Sequence, residues 1–389
     1  MVSTHAGAGR RHYPLIDVLR GFAALLVLCY HVIEIGQWKE FPATGIALLP
    51  RIGWIGVDLF FVLSGFVIGK AAIEASQADP LGWRPVYVER RLRRIVPLYI
   101  ATLVLFLLLV DPTLLQYGSE AVRHILTHLL FIHNIWVKTA GSINGPNWSV
   151  ALEMQFYLLM LFATPWIARS PTWKVLALWV LAAIAWRFAS TYLYPPGGGK
   201  PMHQQVAATQ LPGVLDGFAL GICLAKLALQ GHLDYSLRRL IAWAVAAVAL
   251  MAIAMELFWP RAFYWHSWQM ITFWRTLLYA AFAAMLAVVV VIPWSGGFWL
   301  RPLRYLGEIS YGLYLWHVPV LVTLLDRTAW RGTGLLAGTV VCTTVLASLS
   351  WHGFEKLWLR PARRPQTAPA TDAAAQPLRP LAADASAAG

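Results

Sequence analysis

The chain has 389 residues, is 59% hydrophobic and only 13% charged, and carries 20 Trp; its mean hydropathy is +0.59. A soluble globular domain has about twice that charge, so an ordinary soluble enzyme is excluded and a chain solvated by lipid is expected. The formal net charge of +13 then reports membrane topology and anionic headgroups, not nucleic acid.

Residues 15–34, LIDVLRGFAALLVLCYHVIE, are long enough to cross a bilayer yet contain Arg20 and His31. An ionisable group in hydrocarbon costs a few kcal/mol unless it faces a partner or a polar cavity. Eleven residues of helix advance about 16 Å and make slightly more than three turns. Arg20 and His31 therefore share a face at different depths, with Asp17 and Glu34 flanking them, and this stripe predicts a lined site. GRRHY ahead of it suggests a secretory signal, but no small-residue cleavage site follows, so the helix is expected to remain as a span.

Further spanning windows fall near 53–74, 95–110, 148–167, 174–193, 211–229, 239–258, 271–292, 305–324 and 334–354. The expected fold is therefore an all-α integral membrane protein of about ten transmembrane helices. Segment 121–137 carries Arg123, His124, His128 and His133 and reads as an interfacial or re-entrant piece. With both termini cytoplasmic, Lys and Arg in the inner segments outnumber those outside by more than two to one, as the positive-inside bias requires. Counting 121–137 as a span would break that alternation. The expected location is the bacterial inner (cytoplasmic) membrane. Residues 1–14 read as a cytoplasmic leading segment, 15–358 as the membrane domain, and 359–389, rich in Ala and Pro, as a disordered cytoplasmic tail. Neither an internal repeat nor an appended soluble domain is apparent. Cys29, Cys223 and Cys342 each lie in an apolar segment and read as small core residues, and no metal-ligand spacing is present.

The second span, GWIGVDLFFVLSGFVIG, holds Asp58 in its outer third and Ser64 and Gly65 near its middle. Small residues there permit close helix packing, while Asp58 is expected to be a buried partner of a neighbouring His or Arg. In VERRLRRIVPLY, four arginines fall within five residues, more than anchoring needs, and Arg91 and Arg94 face the same way at helical spacing. Guanidinium pairs suit phosphate, so Arg90, Arg91 and Arg94 are candidates for a phosphorylated cytosolic donor. NGPNWSVALEMQFYLL places Glu153 about two turns into its helix, where it is expected to meet His31. A histidine oriented by a carboxylate is a suitable general base for activating a hydroxyl. His317, in SYGLYLWHVPV, reads equally as an interhelical hydrogen bonder and as a substrate contact; Glu34 and Ser64 are further substrate-binding candidates.

Taken together, these segments resemble the acyltransferase-3 family of polytopic membrane O-acyltransferases over nearly all of residues 13–356. The marks are IDVLRG with ten residues between Arg20 and His31, GVDLFFVLSGFVI, RRLRRIVPLY with Arg91 and Arg94, NWSVALEMQFY, and ISYGLYLWHVP. The resemblance implies transfer of an acyl group, commonly acetyl, from acyl-CoA to a hydroxyl, usually of a carbohydrate or cell-envelope glycan. The resemblance carries the catalytic role to His31; Arg20 is expected to share its site, and Glu153 or Asp58 to stabilise the imidazolium. Two departures concern acceptor recognition. An arginine common before the helix that opens ATQLPGVLDGFALG is replaced by Thr209 and Gln210, with Asp216 added, and a Glu-x-Pro near the last span is here Glu355, Lys356, Leu357. The competing expectations are a transporter or flippase, whose polar intramembrane residues line a pathway, and an acyltransferase acting on a lipid or a secreted metabolite.

Overall fold

The computed structural model describes residues 13–259, 264–293 and 297–359. The leading segment and the Ala- and Pro-rich tail fall almost wholly outside the described residues.

Among the described residues the protein is helical, without strands. The principal helices are α1 (Pro14–Ile35), α2 (Ile55–Ala78), α3 (Trp83–Leu105), α4 (Ser119–Leu129), α5 (Trp148–Arg169), α6 (Thr172–Leu193), α7 (Pro201–Ala208), α8 (Leu215–Leu229), α9 (Leu237–Phe258), α10 (Arg275–Val291), α11 (Arg301–Glu308), α12 (Ser310–Arg327) and α13 (Gly332–Ser350). Among the described residues nine helical stretches are long and apolar enough to cross a membrane, or ten if the bent pair Phe298–Glu308 with Ser310–Arg327 counts as one span. The protein is a multi-pass membrane protein.

Two spans differ from the apolar windows in the sequence. The third begins at Trp83, so Trp83–Val110 runs 28 residues, about 42 Å, well beyond the hydrocarbon thickness. The arginine cluster thus lies on the helix itself and not ahead of it. The window at 305–324 is not one straight helix, because α11 and α12 meet at 68°. Glycines explain the bend. A Cβ on Gly307 would overlap the Asp17 carbonyl, and one on Gly21 would overlap that of Leu303, so α11 lies backbone to backbone on α1 and α12 departs in a new direction.

The same device joins α2 to α8: a Cβ at Gly65 would strike the Phe218 carbonyl, and one at Gly221 the Val62 carbonyl. Dispersion contacts of this kind are the main source of helix association where lipid is as apolar as the side chains. α2 is accordingly 72% buried over its most apolar stretch, against 6% for α9, which faces its surroundings almost throughout. Segment 121–137 contains no spanning helix. α4 has 11 residues, about 16 Å, and the His128 ring near its end stacks on that of His133 beyond it, with centroids 3.8 Å apart.

Candidate active site

Helices α1, α2, α3, α5 and α12 enclose a cavity with about 870 Å³ of empty space, counting its open mouth. α1 contributes Arg20, α2 Phe60 and Ser64, α3 Arg91 and Arg94, α5 Ser149, Glu153 and Tyr157, and α12 Ser310, Tyr311 and Tyr314. The helical spacing that put Arg91 and Arg94 on one face brings both to this cavity. Arg91 sits over the rings of Tyr87 and Tyr157, each centroid 5.6 Å away, and forms no ion pair among the described residues. Arg94 lies 3.6 Å from the Glu355 carboxylate and 5.0 Å from the Trp351 ring centroid. Arg20 is 3.9 Å from Asp17. Glu153 is the sole carboxylate in the lining; it accepts hydrogen bonds from Tyr157 Oη at 2.5 Å and Ser64 Oγ at 3.3 Å. Three guanidiniums and one carboxylate thus face the cavity; Arg20 and Arg94 have Asp17 and Glu355 beside them, while Arg91 keeps its charge toward the cavity. Arg90 is exposed and absent from the lining, so α3 presents two arginines here, not three.

His31 does not meet Glu153. Both Glu153 and Arg20 line the cavity, whereas His31, about 16 Å further along α1, meets His317 of α12: His317 Nε2 lies 3.2 Å from His31 Nδ1. The helix rise explains the correction, because the depth that matches Glu153 on α1 belongs to Arg20. The hydrogen-bond pattern also fixes the tautomers. A carbonyl oxygen only accepts, so His317 Nδ1, 2.6 Å from Tyr314 O, carries its proton and leaves Nε2 as an acceptor. His31 Nδ1–H is shared between that Nε2 and Val27 O at 2.9 Å. In the neutral ring, His31 Nε2 is then the basic nitrogen.

Asp58 does not orient an imidazole either. It accepts a hydrogen bond from Tyr279 Oη at 2.8 Å and pairs with Arg275 at 3.5 Å, so of the partners expected for it the arginine is present and the histidine is not. Glu34 is exposed at the end of α1 and lies outside the cavity lining. Ser64 does line the cavity.

Two features escaped the sequence reading. Tyr157, Tyr311 and Tyr314 line the cavity through spacings of four and three on α5 and α12, a signal present in the motifs but indistinguishable from aromatic packing. Arg187 of α6, only 1% exposed, makes a two-pronged contact with Asp216 of α8 at 3.1 and 2.8 Å and donates to Gly213 O at 2.7 Å. Asp216 so acquires a role, and the start of α8, where Thr209 and Gln210 replace the expected arginine, receives its guanidinium from α6. No group of three or more His, Cys, Asp or Glu side chains that could hold a metal occurs among the described residues.

A cavity faced by three guanidiniums and one carboxylate, a half-buried His31 against a buried His317 beyond it, and a polytopic helical fold are the features of a membrane enzyme. A family model described as an acyltransferase domain matches residues 13–351, and the chain belongs to that family, acyltransferase-3. It is similar to a candidate peptidoglycan O-acetyltransferase, YrhL, of Bacillus subtilis (strain 168), at 30% identity over 90% of this chain and 56% of that protein. It is 25% identical to the peptidoglycan O-acetyltransferase OatA of Listeria monocytogenes serovar 1/2a over 89% of this chain and 56% of that protein. A protein named as a candidate membrane-bound transacylase, BcsY of Komagataeibacter xylinus, is 27% identical over 88% of this chain and 82% of its own length. The chain thus spans little more than half the length of the first two relatives. No solved structure matches it.

Proposed function

We propose that the chain transfers an acyl group, acetyl in the first instance, from acyl-CoA to a hydroxyl of a cell-envelope glycan. The observation that carries this reading is the convergence of Arg20, Arg91 and Arg94 on one cavity with a single carboxylate in its lining. Guanidinium forks are suited to phosphate oxygens, and CoA is a phosphate-rich carrier with a long flexible arm. Both termini are assigned to the cytoplasm of a bacterial inner membrane, which places the arginines at the side where acyl-CoA is made. The names of the relatives support a glycan acceptor.

In this mechanism Arg91 and Arg94 hold the phosphates and the arm runs along the cavity toward α12. His31 Nε2 accepts the proton of the acceptor hydroxyl as its oxygen attacks the thioester carbonyl. The new C–O bond forms, the C–S bond breaks, and the proton passes from His31 to the departing thiolate. His317 holds the ring of His31 in the reactive tautomer through Nδ1, the part assigned to a carboxylate in the sequence reading. The test is release of free CoA thiol by purified protein in vesicles supplied with acetyl-CoA and a glycan acceptor. Thiol release matched by ester formation on the glycan supports the reading. A transporter or flippase would move substrate without cleaving the thioester, and ester on lipid in place of glycan would reassign the acceptor.

A further inference from the structure

The arginine-lined cavity stops short of the histidine pair. Phe60 and Tyr314 line it, and neither His31 nor His317 does. Tyr314 stands one helical turn before His317 on α12, with the two ring centroids 5.6 Å apart. Phe60 packs against the small apolar cluster that Ala24 of α1 forms with Ile309, Leu313, Ala347 and Trp351. Ala24 is one turn beyond Arg20 and about two turns before His31, so the cluster on which Phe60 packs lies between the depths of Arg20 and His31 on α1. The two rings meet edge to face with centroids 6.3 Å apart. Tyr314 is held in place by its hydroxyl, which donates to Pro146 O at 2.8 Å and lies 2.6 Å from Ser149 Oγ.

We propose that Phe60 and Tyr314 form the constriction between the donor cavity and His31, and that it limits the transferred group to a short acyl chain. This rests on the acyl-CoA reading above. A thioester acyl group must pass between two rings already in aromatic contact, and each added methylene needs a further displacement of Phe60 or of the tethered Tyr314. A methyl group needs the least. Interiors packed this way respond to single methylenes, so the length of chain admitted depends on the size of the residue at position 60 and on the tether at 314.

The experiment compares kcat/KM for acetyl-CoA and butyryl-CoA, by thiol release, in wild type, Phe60→Ala, Phe60→Leu and Tyr314→Phe. Removing the Phe60 ring is expected to raise the butyryl to acetyl ratio at least tenfold, with Phe60→Leu intermediate. Tyr314→Phe keeps the ring and the backbone carbonyl that binds His317 but loses the tether, and is expected to raise the ratio by a smaller factor. General damage to the fold lowers both substrates together and leaves the ratio unchanged. Should Phe60→Ala fail to fold, the Leu and Tyr314→Phe variants carry the measurement. A wild type that cleaves acetyl-CoA, with an unchanged ratio in the folded variants, overturns the constriction alone. A wild type that cleaves no acyl-CoA overturns the donor assignment and the constriction with it.

Discussion

His317 Nε2 lies 3.2 Å from His31 Nδ1; in the proposed mechanism this contact between α12 and α1 takes the place of the carboxylate that a hydroxyl-activating histidine often uses. Because His317 is itself anchored on the Tyr314 carbonyl, the orientation of His31 depends on neutral groups alone. Glu153 is left to the cavity, where it meets Tyr157 and Ser64.

The first prediction follows from that division. His31→Ala should lower turnover by a hundredfold to ten-thousandfold, the range for loss of a general acid-base group, with insertion and folding retained. His317→Ala should lower kcat less, since the imidazole of His31 remains. Retention of more than a tenth of wild-type turnover by His31→Ala would remove the base assignment.

A second prediction concerns stability. Arg187 and Asp216 are both buried, and Thr276 Oγ1 also donates to Asp216 Oδ2 at 2.6 Å. Removing one member of such a pair leaves a buried charge without its counter-ion, at a cost of about 3–5 kcal/mol. Arg187→Met should therefore lower the melting temperature in detergent by several degrees or more, and adding Asp216→Leu should recover most of the loss. Equal melting of wild type and Arg187→Met would show that the pair contributes nothing.

Much of this was legible in the sequence, and the residues show why the rest was not. Hydropathy located the spans because bilayer thickness sets their length, and the three-residue spacing of Arg91 and Arg94 predicted a shared face, which follows from helical pitch alone. Pairing between helices is a different matter. Arg187 and Arg275 lie inside the apolar windows of the sequence, as do Asp58 and Asp216, yet which cation meets which anion depends on helix order and rotation. The same limit produced the expected contact between His31 and Glu153. Glu153 shares its cavity with Arg20, about three turns from His31 on α1, and α11 crosses α1 through Gly307 and Gly21, which sets α12 beside His31.

Sidedness gives a third prediction. In a background with Cys29, Cys223 and Cys342 replaced by Ser, single cysteines at Lys39 and Lys138 should react with an impermeant thiol reagent added outside the cell. Cysteines at Ala78 and His232 should react only after the membrane is opened. All four positions are exposed. The inverse pattern would put the arginine cluster outside and separate it from any cytosolic donor.

The account depends most on the claim that the cavity arginines bind the donor. Titration calorimetry of CoA into purified protein, compared with Arg91→Ala, Arg94→Ala and the double variant, tests it directly. Charge-assisted hydrogen bonds contribute roughly 1.5–3 kcal/mol each, so each single variant should bind about ten- to a hundredfold more weakly and the double variant more weakly still. Unchanged CoA affinity in a correctly folded double variant would contradict the donor site and, with it, the proposed route from the arginines to His31.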